Sequence, residues 1–160
     1  MKYLNSYKLF ESKSMLDSNI ISDIMVDIID LGYNCHVETD WWSEEGRNGI
    51  NICIYGIDEY DKKIGCDVGY IYPDDVLETI ERLVDYLKSE GYDLDEIGKK
   101  EVELIKNCGT GSKLHLDREW PKNRDVKKRT GTNSQVTFRF DEEKNKWKVC
   151  YSLGLYFRES

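Results

Sequence analysis

Residues 73–93, "PDDVLETIERLVDYLKSEGYD", decide the reading of the fold. Pro73 suits a helix start because the first-turn N–H it lacks would have no partner there. Asp74 and Asp75 sit where the positive end of a helix dipole favours carboxylates. Val76, Ile80, Leu83, Val84 and Leu87 recur every three or four positions and form one apolar stripe. Gly91 can adopt the left-handed conformation that ends a helix, with Tyr92 packing back. The stretch therefore predicts an amphipathic helix that needs an apolar surface to cover.

Upstream, "LDSNIISDIMVDIIDLGYN" (residues 16–34) has the same grammar. Ile20, Ile24, Ile28 and Leu31 follow helical spacing, widened by Ile21, Met25 and Ile29, and Asp23, Asp27 and Asp30 fall opposite. Asp17 or Ser18 can cap the start, and Gly32-Tyr33 can close the end. Between the two helices lie strand signals. "NCHVETDWW" alternates through Cys35, Val37 and Thr39, and "GINICIYGI" places Ile50, Ile52 and Ile54 on one face. "SEEGRNG" reads as their hairpin connection. "KIGCDVGYIY" reads as a third strand with "DEYDK" as the turn before it.

After residue 93, "DLDEIGKKEVELIKN" fits helix or strand, and Gly98 weakens the helical reading. Residues 108–133 show no clear period and read as a long mobile loop. The chain closes with a hairpin: "QVTFRF", a turn at "DEEKNK", and one long returning strand, "WKVCYSLGLYF". This order predicts an α+β fold, an antiparallel sheet with two amphipathic helices packed on one face. It comprises a leader over residues 1–12 and one domain over residues 13–160.

The 160 residues suffice for a single core, burying roughly two-thirds of the surface that the unfolded chain exposes. No apolar run approaches the ~20 residues that span a bilayer, and Tyr7, Lys8 and Glu11 interrupt any secretory core, so no membrane partner and a cytoplasmic setting are expected. The net charge is −8, but residues 1–100 carry 22 acidic and 10 basic side chains, whereas residues 101–133 carry 5 and 8. An acidic majority disfavours general duplex binding, because affinity there comes from neutralising phosphates. Lys122, Arg124, Lys127, Lys128 and Arg129 form the exception, a candidate anion contact with Trp120 as a stacking platform; weak, salt-sensitive nucleic-acid binding or none is expected. A solvated loop is the alternative reading.

Candidate chemistry is sparse. His36 and His115, in "HVET" and "HLDR", resemble the paired motifs of two-histidine phosphoesterases, where the imidazoles act as general base and acid. That family places Ser or Thr two residues after each His, whereas Glu38 and Asp117 stand there and would repel phosphate. Cys35, Cys53, Cys66, Cys108 and Cys150 lack any local chelating pair, which favours reduced, packed thiols over zinc ligands or disulfides. "CGTGSK" lacks the full phosphate-loop pattern. No catalytic, cofactor or metal residue is assigned, and no cofactor is expected. Asp23, Asp27 and Asp30, with Glu78, Glu81 and Asp85, suggest an acidic array that could mimic nucleic acid toward a host enzyme.

The amino terminus, "MKYLNSYKLFES", carries the remaining signal. Met1, Lys2, Tyr7 and Phe10 resemble the capsid-targeting leaders of internal head proteins in contractile-tailed phages. In those leaders a hydrophobic-x-Glu site is cut by a prohead protease, and Leu9-Phe10-Glu11 followed by Ser12 is similar. "LVDYLKSEGYD" also resembles segments of uncharacterised small proteins of large tailed bacteriophages. The resemblance implies a phage-encoded, non-enzymatic accessory protein with a protein partner, located in the host cytoplasm or packaged in the virion. The alternative is a terminal strand that packs Tyr3, Leu4, Tyr7 and Phe10 on the domain.

Overall fold

Helix capping behaves as local chemistry dictates. In the computed structural model, which describes residues 16–42, 48–108 and 120–160, α1 spans Ser18–Asp30, and the Asp17 carboxylate accepts the Asn19 N–H at 2.9 Å. Gly32 follows with φ +102°. The buried line of α1 is Ile21, Met25 and Ile28, with Ile24 half-buried, while Ile20 and Leu31 are 41% and 53% exposed. The expected stripe through Ile20 and Leu31 is therefore corrected. Seven of its 13 residues are apolar and they cover a broad face, so spacing alone leaves the exact rotation loosely specified. On the outer side Arg82 of the next helix donates to the Ile24 carbonyl at 3.4 Å and the Asp27 carboxylate at 2.6 Å.

That helix, α2, spans Pro73–Ser89, and Val76, Ile80, Leu83 and Leu87 are fully buried on its inner face. It stops before Gly91, whose φ is +90°. A short strand follows, and then a third helix, α3, over Glu96–Cys108. Gly98 does not break α3; it lets the Leu94 side chain pack close, since a Cβ there would lie 2.6 Å from it. The Asp95 carboxylate caps this helix by accepting the Gly98 N–H at 2.7 Å.

The strands are β1 Asn34–Trp42, β2 Asn48–Tyr55, β3 Ile57–Asp61, β4 Cys66–Ile71, β5 Tyr92–Leu94, β6 Val126–Arg129, β7 Gln135–Asp141, β8 Lys146–Cys150 and β9 Ser152–Glu159. They form two antiparallel sheets, ordered β1-β2-β9-β5 and β3-β4-β8-β7-β6. The α+β class holds, with two sheets and three helices among the described residues in place of one sheet and two helices. Three local expectations change. "DEYDK" lies mostly within β3; the turn is Lys62–Gly65, closed by the Lys63 N–H on the Asp61 carboxylate at 2.8 Å. Residues 126–129, expected in a loop, pair with β7. The long closing strand is broken at Tyr151, φ +73°, so β8 and β9 belong to different sheets.

One apolar cluster spans both sheets. Ile50, Ile52, Ile54, Leu153, Leu155 and Phe157 come from the first sheet, and Ile71, Val136, Phe138 and Val149 from the second. A smaller cluster, Val68, Tyr70 and Cys150, lies apart from it on β4 and β8. The two faces of α1 give a direct check. Ile21→Ala should lower stability by about 3 kcal/mol through lost transfer energy and a residual cavity. Ile20→Ala should change it by less than about 1 kcal/mol. Chemical denaturation of both variants reads the difference, and equal losses would show that α1 does not turn Ile21 inward and Ile20 outward.

Candidate functional site

A dense group of ionisable side chains is built on the second sheet by strand alternation. Arg139 of β7 and Lys148 of β8 are register partners, so they project to the same face. Phe138 and Val149, the next register pair, go to the core. Arg139 makes a bidentate pair with Asp125, Nε to Oδ1 at 2.7 Å and Nη2 to Oδ2 at 2.8 Å. Its Nη1 also donates to the Asp61 carboxylate and the Tyr70 hydroxyl. Lys148 donates to Glu59 at 3.2 Å and Asp141 at 3.5 Å, and its ammonium stands 3.7 Å from the Tyr70 ring centroid.

Tyrosine hydroxyls knit the carboxylates together. Tyr70 donates to Asp61 at 2.7 Å, and the Tyr72 hydroxyl lies 2.7 Å from Glu59 and 3.0 Å from Asp141. Tyr33 donates to Asp75 at 2.7 Å and accepts the Tyr72 N–H at 3.1 Å, which ties the network to the start of α2. Burial, followed by neighbouring negative groups, pushes the Tyr70 phenol up to about 12. Burial and the hydrogen bonds to Glu59 and Asp141 drive Tyr72 higher still. For Asp141, burial works against the charge. The Lys144 N–H, the Tyr72 hydroxyl and Lys148 outweigh it and hold the carboxyl below its ordinary value. These shifts keep the two phenols protonated and Asp141 ionised around pH 7, opposite to what general acid–base catalysis near that pH requires. The arrangement is suited to holding β3, β4, β7 and β8 in register.

Beside the network is a depression of about 330 Å3, which Lys62, Lys63, Glu142 and Glu143 help to line. A wider groove of about 580 Å3 runs between α2 and α3 over Val84, Leu94 and Val102, bridged by Lys106 and Glu81 at 3.7 Å.

The five residues of the expected anion contact divide into two groups. Lys128 stands 5.0 Å from the Trp120 ring centroid and Lys122 4.6 Å from that of Phe140. Arg124, Lys127 and Arg129 are exposed. Trp120 is no free stacking platform: it packs on Phe138 at 5.1 Å and edge-on to Trp147 at 5.3 Å, against the main core. His36 lies opposite Cys53 in the β1–β2 register, whereas His115 lies outside the described residues. So do Leu9, Phe10, Glu11 and Ser12. Among the described residues, no group of three or more His, Cys, Asp and Glu side chains is placed to hold a metal ion. Burial raises the thiols of Cys35 and Cys150 to about 11 and that of Cys108 to about 12. Asp27 and Glu81 of the acidic array are paired with Arg82 and Lys106.

Sequence reasoning missed Glu59, Asp61, Arg139, Asp141 and Lys148. The available signal was a cation flanked by apolar residues in each strand, Arg139 between Phe138 and Phe140 and Lys148 between Trp147 and Val149. Comparison of the chain with protein-family models, with curated proteins and with solved structures finds no match.

Removing Arg139 would leave Asp61 and Asp125 without their cation. Arg139→Met should destabilise by about 3 kcal/mol, the cost of breaking a buried pair. Arg82→Ala, at an exposed pair, should change stability by no more than about 1 kcal/mol. Because Asp141 is depressed, the unfolded chain binds more protons in the acid range, so its contribution is full above the ordinary carboxylate pKa and lost as pH falls below it. Asp141→Asn should flatten that part of the acid-unfolding curve, read by circular dichroism.

Proposed function

We propose that this chain is a non-enzymatic accessory protein of a large tailed bacteriophage, carried into the head by its leader, processed after Glu11 and acting through a protein partner. The observation that carries the reading is the Leu9-Phe10-Glu11 stretch followed by Ser12 behind a Met-Lys start. One feature of the fold supports it. Arg139 and Lys148 of the second sheet are each engaged by carboxylates, which suits a structural role.

Asp23, Asp30, Glu78 and Asp85 remain exposed on α1 and α2, and this favours a second reading, an acidic inhibitor of a host nucleic-acid enzyme. Arg82 and Lys106 interrupt that array and weaken its likeness to a phosphate backbone. No helix among the described residues is long and apolar enough to cross a membrane. Arg124, Lys127 and Arg129 would give weak nucleic-acid contact that fades steeply with salt.

Mass spectrometry of purified virions tests the proposal: a form beginning at Ser12 is expected. Its absence from virions, with the full-length chain present early in infected cells, would favour the inhibitor reading instead. Deleting residues 1–11 removes Lys2, Lys8 and Glu11, takes the formal charge from −8 to −9, and should leave the denaturation midpoint unchanged. A drop of several kcal/mol would identify the leader as part of the folded domain.

A further inference from the structure

Glu101 of α3 is only 8% exposed, and Thr130 only 1%. The Glu101 Oε2 and Thr130 Oγ1 atoms are sealed from solvent and have no hydrogen-bond partner among the described residues. A buried polar atom left unpaired is costly, and a native fold that retains two side by side calls for an explanation. Thr130 opens the turn between β6 and β7, where the Thr130 and Gly131 N–H groups donate to the Ser134 carbonyl at 2.9 Å and 3.2 Å. The same turn rests on α3 at a second point, since a Cβ on Gly131 would lie 3.0 Å from Ile97 Cδ1.

The groups that act on Glu101 are Asp95, ahead of α3, and Thr130, from the turn, while Tyr156 of β9 feels its charge. None of these described groups is a cation. An ionised carboxylate at this position is dry and near another carboxylate, and the Thr130 hydroxyl, which can donate to it, offsets only part of that cost. A protonated one carries no charge to bury and has an O–H of its own to direct at the Thr130 hydroxyl. We propose that Glu101 is a proton-operated latch between α3 and the β6–β7 turn, closed while its carboxyl is protonated and loosened when it ionises.

Burial, reinforced by Asp95 and opposed by Thr130, raises the carboxyl from its ordinary 4.5 to about 7. Between those values the folded chain keeps a proton that the unfolded chain has released, so stability falls as pH rises. The latch is at full strength below about pH 4.5 and open above about pH 7. Its pH dependence is opposite in sign to that of Asp141, which allows the two to be separated.

Carbon-detected NMR titration of the full chain should give a Glu101 carboxyl midpoint near 7. A midpoint in the ordinary carboxylate range overturns the proposal. Hydrogen exchange of the Thr130 and Gly131 amides, corrected for intrinsic rates, should show opening that grows up to about 100-fold between pH 5 and pH 8. The Glu101→Gln variant should show no such growth; equal growth in the variant, or none in the parent, also overturns it. Protection restored at pH 8 by calcium or magnesium chloride would make the ligand a metal ion and replace the latch. Should Glu101→Gln fail to fold, the titration of the parent decides alone.

Discussion

Three backbone segments cross where the two sheets meet, and the architecture depends on how closely they approach. The Gly56 N–H donates to the Tyr151 carbonyl at 2.9 Å, and the Tyr151 N–H donates to the Gly69 carbonyl at 2.7 Å. A Cβ on Gly56 would sit 2.4 Å from the Tyr70 nitrogen, and one on Gly69 would sit 3.3 Å from the Gly56 and Tyr151 oxygens. At this crossing β2 runs on as β3 and β8 runs on as β9, each changing sheet, with Gly69 of β4 bonded to Tyr151. Tyr151 accepts a left-handed backbone at φ +73°, a strain of about 1 kcal/mol or more for a non-glycine residue.

The charge network follows from that crossing. Placing β4 beside β8 brings Tyr70 next to Cys150 in register, where its ring underlies Lys148 and its hydroxyl meets Asp61 and Arg139. The far sheet thus has a polar lock on one face and an apolar core on the other. The lock also reaches the helical layer, through Tyr72 and Tyr33 to Asp75 in the first turn of α2.

Much of this fold was legible in the sequence where one physical rule dominates. The α2 stripe, the Gly32 and Gly91 stops and the Ile50–Ile52–Ile54 alternation each follow from local spacing. Sheet switching was not legible: "WKVCYSLGLYF" alternates without a break, and only tertiary crowding around Gly56 and Gly69 makes Tyr151 turn. The face of α1 was misread because its apolar residues spread over a broad arc, so two neighbouring stripes, through Ile20 or through Ile21, fit the spacing equally well. The lock was missed because Asp61, Asp125 and Arg139 are 14 or more positions apart in sequence, and isolated charges on strands ordinarily mark solvent. Glu101 was hidden for the same reason, as a polar residue on a helix of mixed character.

The two sheets are thus one cooperative unit fastened at the Gly56 crossing. Hydrogen exchange of Gly56→Ala tests this most directly, comparing amides of β2 and β9 with those of β7 and β8. The added methyl forces backbone apart and should destabilise by about 3 kcal/mol, since overpacking a tight contact is not relieved by side-chain motion. A single cooperative unit predicts that protection falls by the same factor in both sheets. Loss confined to one sheet, or no loss in either, would contradict it.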